Sequence, residues 1–383
     1  MKLRYFDHAA TTKIHEDVFR EMIPYLTNEY GNASSSYSLG RNSKKAIEYS
    51  RKKVAKLIGA KPNEIYFTSC GSESDNTALR GIAYANKNKG NHIITSKIEH
   101  PAILETCKSL EKEGFLISYL NVDENGFINI NELLNSITSQ TILISIMFAN
   151  NEIGTIEPIY EISQIAKSHN IVFHTDAVQA VGNIEINVNN LGIDSLSLSG
   201  HKIYAPKGIG ALYVRDGINF NRFLDGGHQE RNKRAGTENV ANIVGLGKAC
   251  ELSLNNFDAN YSKIIWLRNY FFNEIRQNIP DFKINGPLDK RLPGNCNISF
   301  KDINSSNLLL KLDNYGICTS AGSACSTGQS SPSHVLNAIG LSPELAFGSL
   351  RITFGIENTK DDVDFLVKIL TQSIEDLRSS NKL

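Results

Sequence analysis

The 383-residue chain has no surplus of charge: forty Lys and Arg balance forty Asp and Glu. A nucleic-acid binder shows its electrostatic footprint as a basic excess, so that class is disfavoured. Long apolar runs are missing too. The longest, Ile142–Ala149, is broken by Ser145 and falls well short of the ~20 residues that span a bilayer. The opening Met1-Lys-Leu-Arg-Tyr-Phe-Asp7 holds no apolar core of signal-peptide length, so the expected compartment is the cytoplasm. Cysteine is sparse: Cys70, Cys107, Cys250, Cys296, Cys318 and Cys325. None forms a Cys-x-x-Cys pair, which argues against zinc and thioredoxin-type sites and suits a reducing compartment. A Walker A loop is also absent, since Gly247-Lys248 lacks both the earlier glycine and the following hydroxyl residue. There is no internal repeat and no low-complexity tail.

The rest is ordinary soluble composition, 41% apolar and 21% charged, in a chain too long for one core. Between residues 65 and 214 short apolar runs alternate with helical patterns. The runs are Ile65–Thr68, His92–Ser96, Phe115–Leu120, Ile142–Met147, Val172–Thr175, Ser195–Leu198 and Ala211–Val214. This rhythm predicts an α/β domain whose seven-stranded, mostly parallel sheet is covered on both faces. Helices are expected at Glu16–Leu26 and Ser43–Ile58 before it, and at Asn239–Leu254 and Tyr261–Asn278 after it. Past Pro280 the pattern becomes α+β, with strands at Asn295–Phe300 and Leu350–Phe354 and a final helix at Asp361–Ser379. The expected division is a large domain at 16–255 and a smaller α+β domain at 1–15 and 256–383, the latter carrying a Gly/Ser-rich loop at about 320–333.

In such sheets polar residues collect just past strand ends, where ligands bind. Lys202 follows Ser195-Leu-Ser-Leu-Ser-Gly-His201 on a tight turn; it reads either as a surface lysine or as an amine nucleophile made usable by burial. Gly71 and Ser72 open a helix after Thr68-Ser-Cys70, which is either a plain N-cap or a phosphate site. Asp176 and Gln179, in His174-Thr-Asp-Ala-Val-Gln179, read as a helix cap or as partners of a heteroaromatic ring. His100 lies in Glu99-His-Pro101, and Asn150 and Asn151 follow an apolar strand. Lone loop residues of these types are more often structural. Five successive strand ends offering polar groups together suit one planar, phosphorylated ring.

Taken with Asp7-His-Ala-Ala-Thr-Thr12, Thr68–Asn76, Asn150-Asn-Glu-Ile-Gly154, Ser199-Gly-His-Lys202, Arg234-Ala-Gly-Thr237 and Gly322-Ser-Ala-Cys325, these motifs resemble the cysteine desulfurases of the NifS/IscS class. Those are fold-type I pyridoxal-phosphate enzymes, and the likeness runs nearly end to end. It implies that Lys202 carries pyridoxal 5'-phosphate, that Asp176 pairs with the pyridinium nitrogen, and that Gln179 hydrogen-bonds the ring oxygen, with Asn151 nearby. His100 would stack on the ring and assist proton transfer. Gly71, Ser72, Ser199 and His201 would hold the phosphate, and Thr237 would reach the phosphate of a neighbouring subunit in a homodimer. Arg351 and Asn32 would bind the substrate carboxylate. Cys325, in a small, polar, glycine-rich setting, would be the nucleophile that takes sulfur from L-cysteine as a persulfide, leaving L-alanine. No resident metal is implied, although Cys325 would be able to ligate a nascent iron–sulfur cluster transiently. The expected recipient is an iron–sulfur scaffold or another sulfur-acceptor protein.

Cys107, Cys250, Cys296 and Cys318 read as buried structural thiols. One departure is visible: Ser331 stands where many members carry glutamate, removing a carboxylate from the cysteine loop. Competing readings are a selenocysteine lyase or an aminotransferase, which would share Lys202, Asp176 and Arg351, and a non-catalytic sulfur-relay subunit. An aminotransferase has no use for Cys325.

Overall fold

The computed structural model describes residues 2–322 and 332–380. Seven strands form one sheet, in the order Ile65–Thr68, Gly210–Val214, Ser195–Ser199, Val172–Asp176, Thr141–Ser145, His92–Ser96, Leu116–Leu120. All run parallel except Gly210–Val214, which is antiparallel to both neighbours. The near-continuous apolar runs are explained by burial on both faces. Side chains alternate across a strand, so Ile94 and Ile144 join one apolar cluster while Ile93 and Leu143 join another on the opposite side. Because the odd strand is flanked by antiparallel pairings on both sides, Ile65–Thr68 again points the same way as Ser195–Ser199. The chain therefore leaves its parallel strands at one common edge, and that edge positions the site.

A three-stranded antiparallel sheet, Ser349–Thr353, Asn295–Phe300, Phe282–Ile284, carries its own apolar cluster around Phe6, Phe271, Phe300, Ile352 and Leu366. The N-terminal strand Arg4–Tyr5 pairs in parallel with Ile317–Cys318. No helix of the described residues is long and apolar enough to cross a membrane.

Two boundaries differ from expectation by more than two residues. The second helix starts at Ser38, five residues before the expected start at Ser43. Its first turn is covered by the loop before it: a Cβ at Gly31 would sit 2.4 Å from the Leu39 carbonyl carbon, and one at Gly40 would sit 2.4 Å from the Ser35 carbonyl oxygen. Backbone-to-backbone contact leaves no hydrophobic period to read. The helix stops as expected, with Gly59 left-handed at φ +70. The long helix Phe257–Asn278 likewise starts four residues early.

Candidate active site

Just beyond the sheet edge lies a cavity of about 240 Å³, lined among others by Gly71, Ser72, His100, Asn151, Asp176, Gln179, Ser199, His201, Lys202 and Arg351. These come from six separate chain segments. The strand Ser195–Ser199 ends in a 3-10 turn, Gly200–Lys202, packed so tightly that a Cβ on Gly200 would meet Ile209 Cγ2 at 2.8 Å. The turn directs Lys202 back toward the N-terminal segment. Its Nζ donates to the Ala9 carbonyl and, at 2.7 Å, to that of Ala10. Gln179 Nε2 donates to the same Ala9 carbonyl at 3.0 Å.

Asp176 is the last residue of its strand and is buried, with Oδ1 accepting the Val178 N–H at 2.9 Å. Burial raises its pKa, while the nearby His100 and Lys202 pull the other way. Asp75 was not singled out from sequence, yet it lines the same cavity at 1% exposure. Burial, and then the charge of Asp176, raise the Asp75 pKa well above the ordinary aspartate value. Donor atoms of Asp75, His100 and Asp176 lie within 4.8 Å of one another. Nothing in the sequence distinguished Asp75 from a polar residue on the outer face of its helix.

His100 is the N-cap of the helix Pro101–Lys112, its Nδ1 accepting the Ala102 N–H at 3.1 Å. That bond fixes the neutral tautomer with the proton on Nε2. Burial, opposed in part by Asp176, depresses the imidazole pKa. His201, beside Thr11 Oγ1 at 3.1 Å, is depressed to about 4 by burial and by Lys202. Both rings are neutral near pH 7.

The phosphate end can be tested against the structure. The helix Gly71–Ala85 opens without a side-chain cap, leaving its first N–H groups for another acceptor. Ser199 Oγ is buried without a hydrogen-bond partner among the described residues. Free helix-terminal donors, an orphaned hydroxyl, an amine and a buried carboxylate fit pyridoxal 5'-phosphate. Arg351 is 1% exposed; it donates through Nη2 to Asp7 at 2.8 Å and through Nη1 to the Asn151 carbonyl at 3.3 Å, and its buried Nε has no partner among the described residues.

Two expected residues lie elsewhere. Asn32 is exposed and accepts the Ser34 N–H, and Thr237 is exposed; neither lines the cavity. Cys325 and Ser331 lie outside the described residues. Cys107, Cys250 and Cys296 are buried, and burial pushes each thiol up to about 12. Cys318 corrects the expectation of full burial: it is half-buried, because its two-residue strand lies beside Arg4–Tyr5 rather than within the three-stranded sheet.

Glu99, buried next to His100, accepts from Ser96 Oγ and the Met147 N–H, both at 2.8 Å, and burial lifts its pKa to about 8. The folded protein thus keeps a proton that the unfolded chain releases above about pH 4.5, so this group's contribution to stability falls as pH rises toward 8. Thermal unfolding of Glu99→Gln should therefore show a flatter decline between about pH 5 and 8 than wild type. Parallel slopes would exclude a neutral Glu99.

Comparison with known proteins is consistent with this geometry. The model of the class-V aminotransferase family matches residues 4–366. Cysteine desulfurase IscS of Clostridium botulinum is 52% identical over 381 residues, 99% of this chain and 96% of that protein. A solved NifS-like protein superposes with a TM-score of 0.92 at 36% identity, covering 98% of this chain and all (100%) of that one. A structure of SspA in complex with cysteine superposes at 0.83 with 37% identity, covering 93% and 100%.

Proposed function

This chain belongs to the class-V aminotransferase family, and from that premise we propose that it is a cysteine desulfurase: L-cysteine is converted to L-alanine while its sulfur passes to Cys325 as a persulfide. The observation that carries the reading is the single cavity joining Lys202, Asp176, His100 and Arg351.

Pyridoxal 5'-phosphate, when bound, supplies an electron sink for the bonds broken at the substrate's α-carbon. Lys202 would anchor it, Asp176 would keep its ring nitrogen protonated, and Gln179 and Asn151 would face its ring oxygen. The open start of the helix at Gly71 and Ser72, with Ser199 and His201, would hold the phosphate. Arg351 would take the substrate carboxylate in a charge-assisted pair, with Asn32 contributing only if its exposed loop moves inward. Lys202, once released from the cofactor, would remove the Cα proton. With Nδ1 committed to the helix cap, His100 would work as a donor from Nε2; serving as a base there would forfeit the cap, worth about 1 kcal/mol. Cys325 thiolate would attack the substrate sulfur: an S–S bond forms, the C–S bond breaks, and its electron pair stays with carbon, which gains a proton to become alanine. One thiol and one cysteine give one persulfide and one alanine, so no outside oxidant enters.

The exposed Thr237 would reach the cofactor phosphate of a second copy in a homodimer. The sulfur would pass to a scaffold or other acceptor protein, in the cytoplasm, for iron–sulfur assembly. The division into units at 16–255 and at 1–15 with 256–383 would put Lys202 on the larger and Arg351 on the smaller, so that their relative placement sets substrate grip.

The purified protein, reconstituted with pyridoxal phosphate, should release sulfide and alanine in equal amounts from L-cysteine with a thiol reductant present. Alanine without sulfide, or transamination with a keto acid, would contradict the proposal.

A further inference from the structure

We propose that Asp7 is a positioning residue that sets the grip of Arg351 on the substrate carboxylate, and that the segment Asp7–Ala10 fixes this grip relative to Lys202. The inference rests on the desulfurase reading and adds a residue with no role in it so far.

Arg351 is among the largest fully buried side chains, and a buried guanidinium without a counter-charge is costly. Asp7 is the acidic partner within 4 Å among the described residues. It gives one oxygen to Arg351 Nη2 at 2.8 Å and the other to the Ser320 hydroxyl at 2.6 Å, so the carboxylate is itself held at both ends. The main chain agrees: Ser320 and Arg351 exchange backbone bonds, at 3.2 and 2.6 Å, and Asp7 bridges Thr353. Of the five guanidinium N–H groups, the bonds to Asp7 and Asn151 use two. Nε is buried beside the cavity and has no partner among the described residues. The arrangement orients the arginine with one acidic partner and leaves donors for a second.

The same short segment continues to Ala9 and Ala10, whose carbonyls receive Lys202 Nζ. The Ala9 N–H in turn donates to Thr353 Oγ1 at 2.9 Å, two residues from Arg351. Four consecutive residues thus hold, by a side chain at one end and by carbonyls at the other, the group that would bind the α-carboxylate and the group that would take the adjacent proton. Such a gauge favours substrates whose carboxylate and transferable hydrogen sit on the same carbon.

The test uses the reconstituted protein with three probes: L-cysteine, L-alanine, and cysteamine, which lacks the carboxylate. Asp7→Ala should raise KM for L-cysteine and Kd for L-alanine, read from the cofactor's visible spectrum, by about tenfold or more, the size of a lost charge-assisted hydrogen bond. Cysteamine binding and cofactor retention should stay near wild type. Asp7→Asn keeps an acceptor oxygen without the charge and should shift L-cysteine by about threefold, again sparing cysteamine; it carries the test if the alanine variant does not fold. Equal shifts for cysteamine and L-cysteine, or no shift in either variant, would overturn the assignment. A wild-type protein inert toward L-cysteine and L-alanine would instead overturn the desulfurase reading, and this assignment with it.

Discussion

Lys202→Ala should lower sulfide release from L-cysteine by at least about a thousandfold, within the range by which positioned acid–base groups accelerate proton transfer. The expectation is large because one amine holds two proposed jobs. The turn that presents it is rigid: Gly200 admits no Cβ, and the Ile203 and Ala205 N–H groups both return to the Gly200 carbonyl. A neighbouring base has little scope to replace it, since His201, its pKa depressed to about 4, is a weak base bonded to Thr11, and His100 is committed through its cap. Borohydride reduction of the wild-type holoprotein should add a pyridoxyl mass to the peptide containing Lys202, and to no other lysine. An alanine variant that keeps a tenth of the activity, or a pyridoxyl group on another lysine, would refute the assignment.

Cys325→Ala should keep the coloured cofactor and lose sulfide release by at least about a hundredfold. The remaining thiols are poor substitutes. Cys107, Cys250 and Cys296 are buried in apolar surroundings with their pKa near 12, so almost none of each is thiolate at neutral pH. Burial also raises the half-buried Cys318. Cys70 does line the cavity. A Cys70→Ala variant tells the two apart, because the mechanism expects it to keep most of its sulfide release while Cys325→Ala does not. Mass spectrometry after a single turnover should find the extra sulfur on the peptide containing Cys325. Sulfide release that survives in Cys325→Ala would sink the persulfide route.

The sheet was legible in sequence because burial on both faces writes itself as apolar runs, and seven such runs became seven strands. The ligand-facing edge was legible for a related reason: each run stops abruptly at polar or small residues such as Asp176, Gly200 and Gly71. What periodicity could not reveal was pairing between distant segments. Arg4–Tyr5 reads as a short extended stretch, and nothing in it names Ile317–Cys318 as its neighbour. Phe282–Ile284 was missed because an edge strand with its middle residue exposed has no distinctive run. Asp75 and Asp7 were silent for the same reason. A carboxylate's role depends on which charge the fold sets opposite it, and Asp176 and Arg351 lie about a hundred and more than three hundred residues further along the chain.

The bonds between the first ten residues and Arg351 and Thr353 bear on how the protein is made. The segment Asp7–Ala10 is synthesised long before its partners, which lie 344 positions later. Contacts of such long separation are slow to form and cannot form at all on an unfinished chain. Lys202, although synthesised earlier, would lack the proposed carboxylate clamp at Arg351 until the strand Ser349–Thr353 has docked. Truncated or stalled nascent chains would therefore hold a formed sheet edge but no complete grip on an amino acid. Release of reactive sulfur would be deferred, by topology alone, until the strand carrying Arg351 has been made and docked.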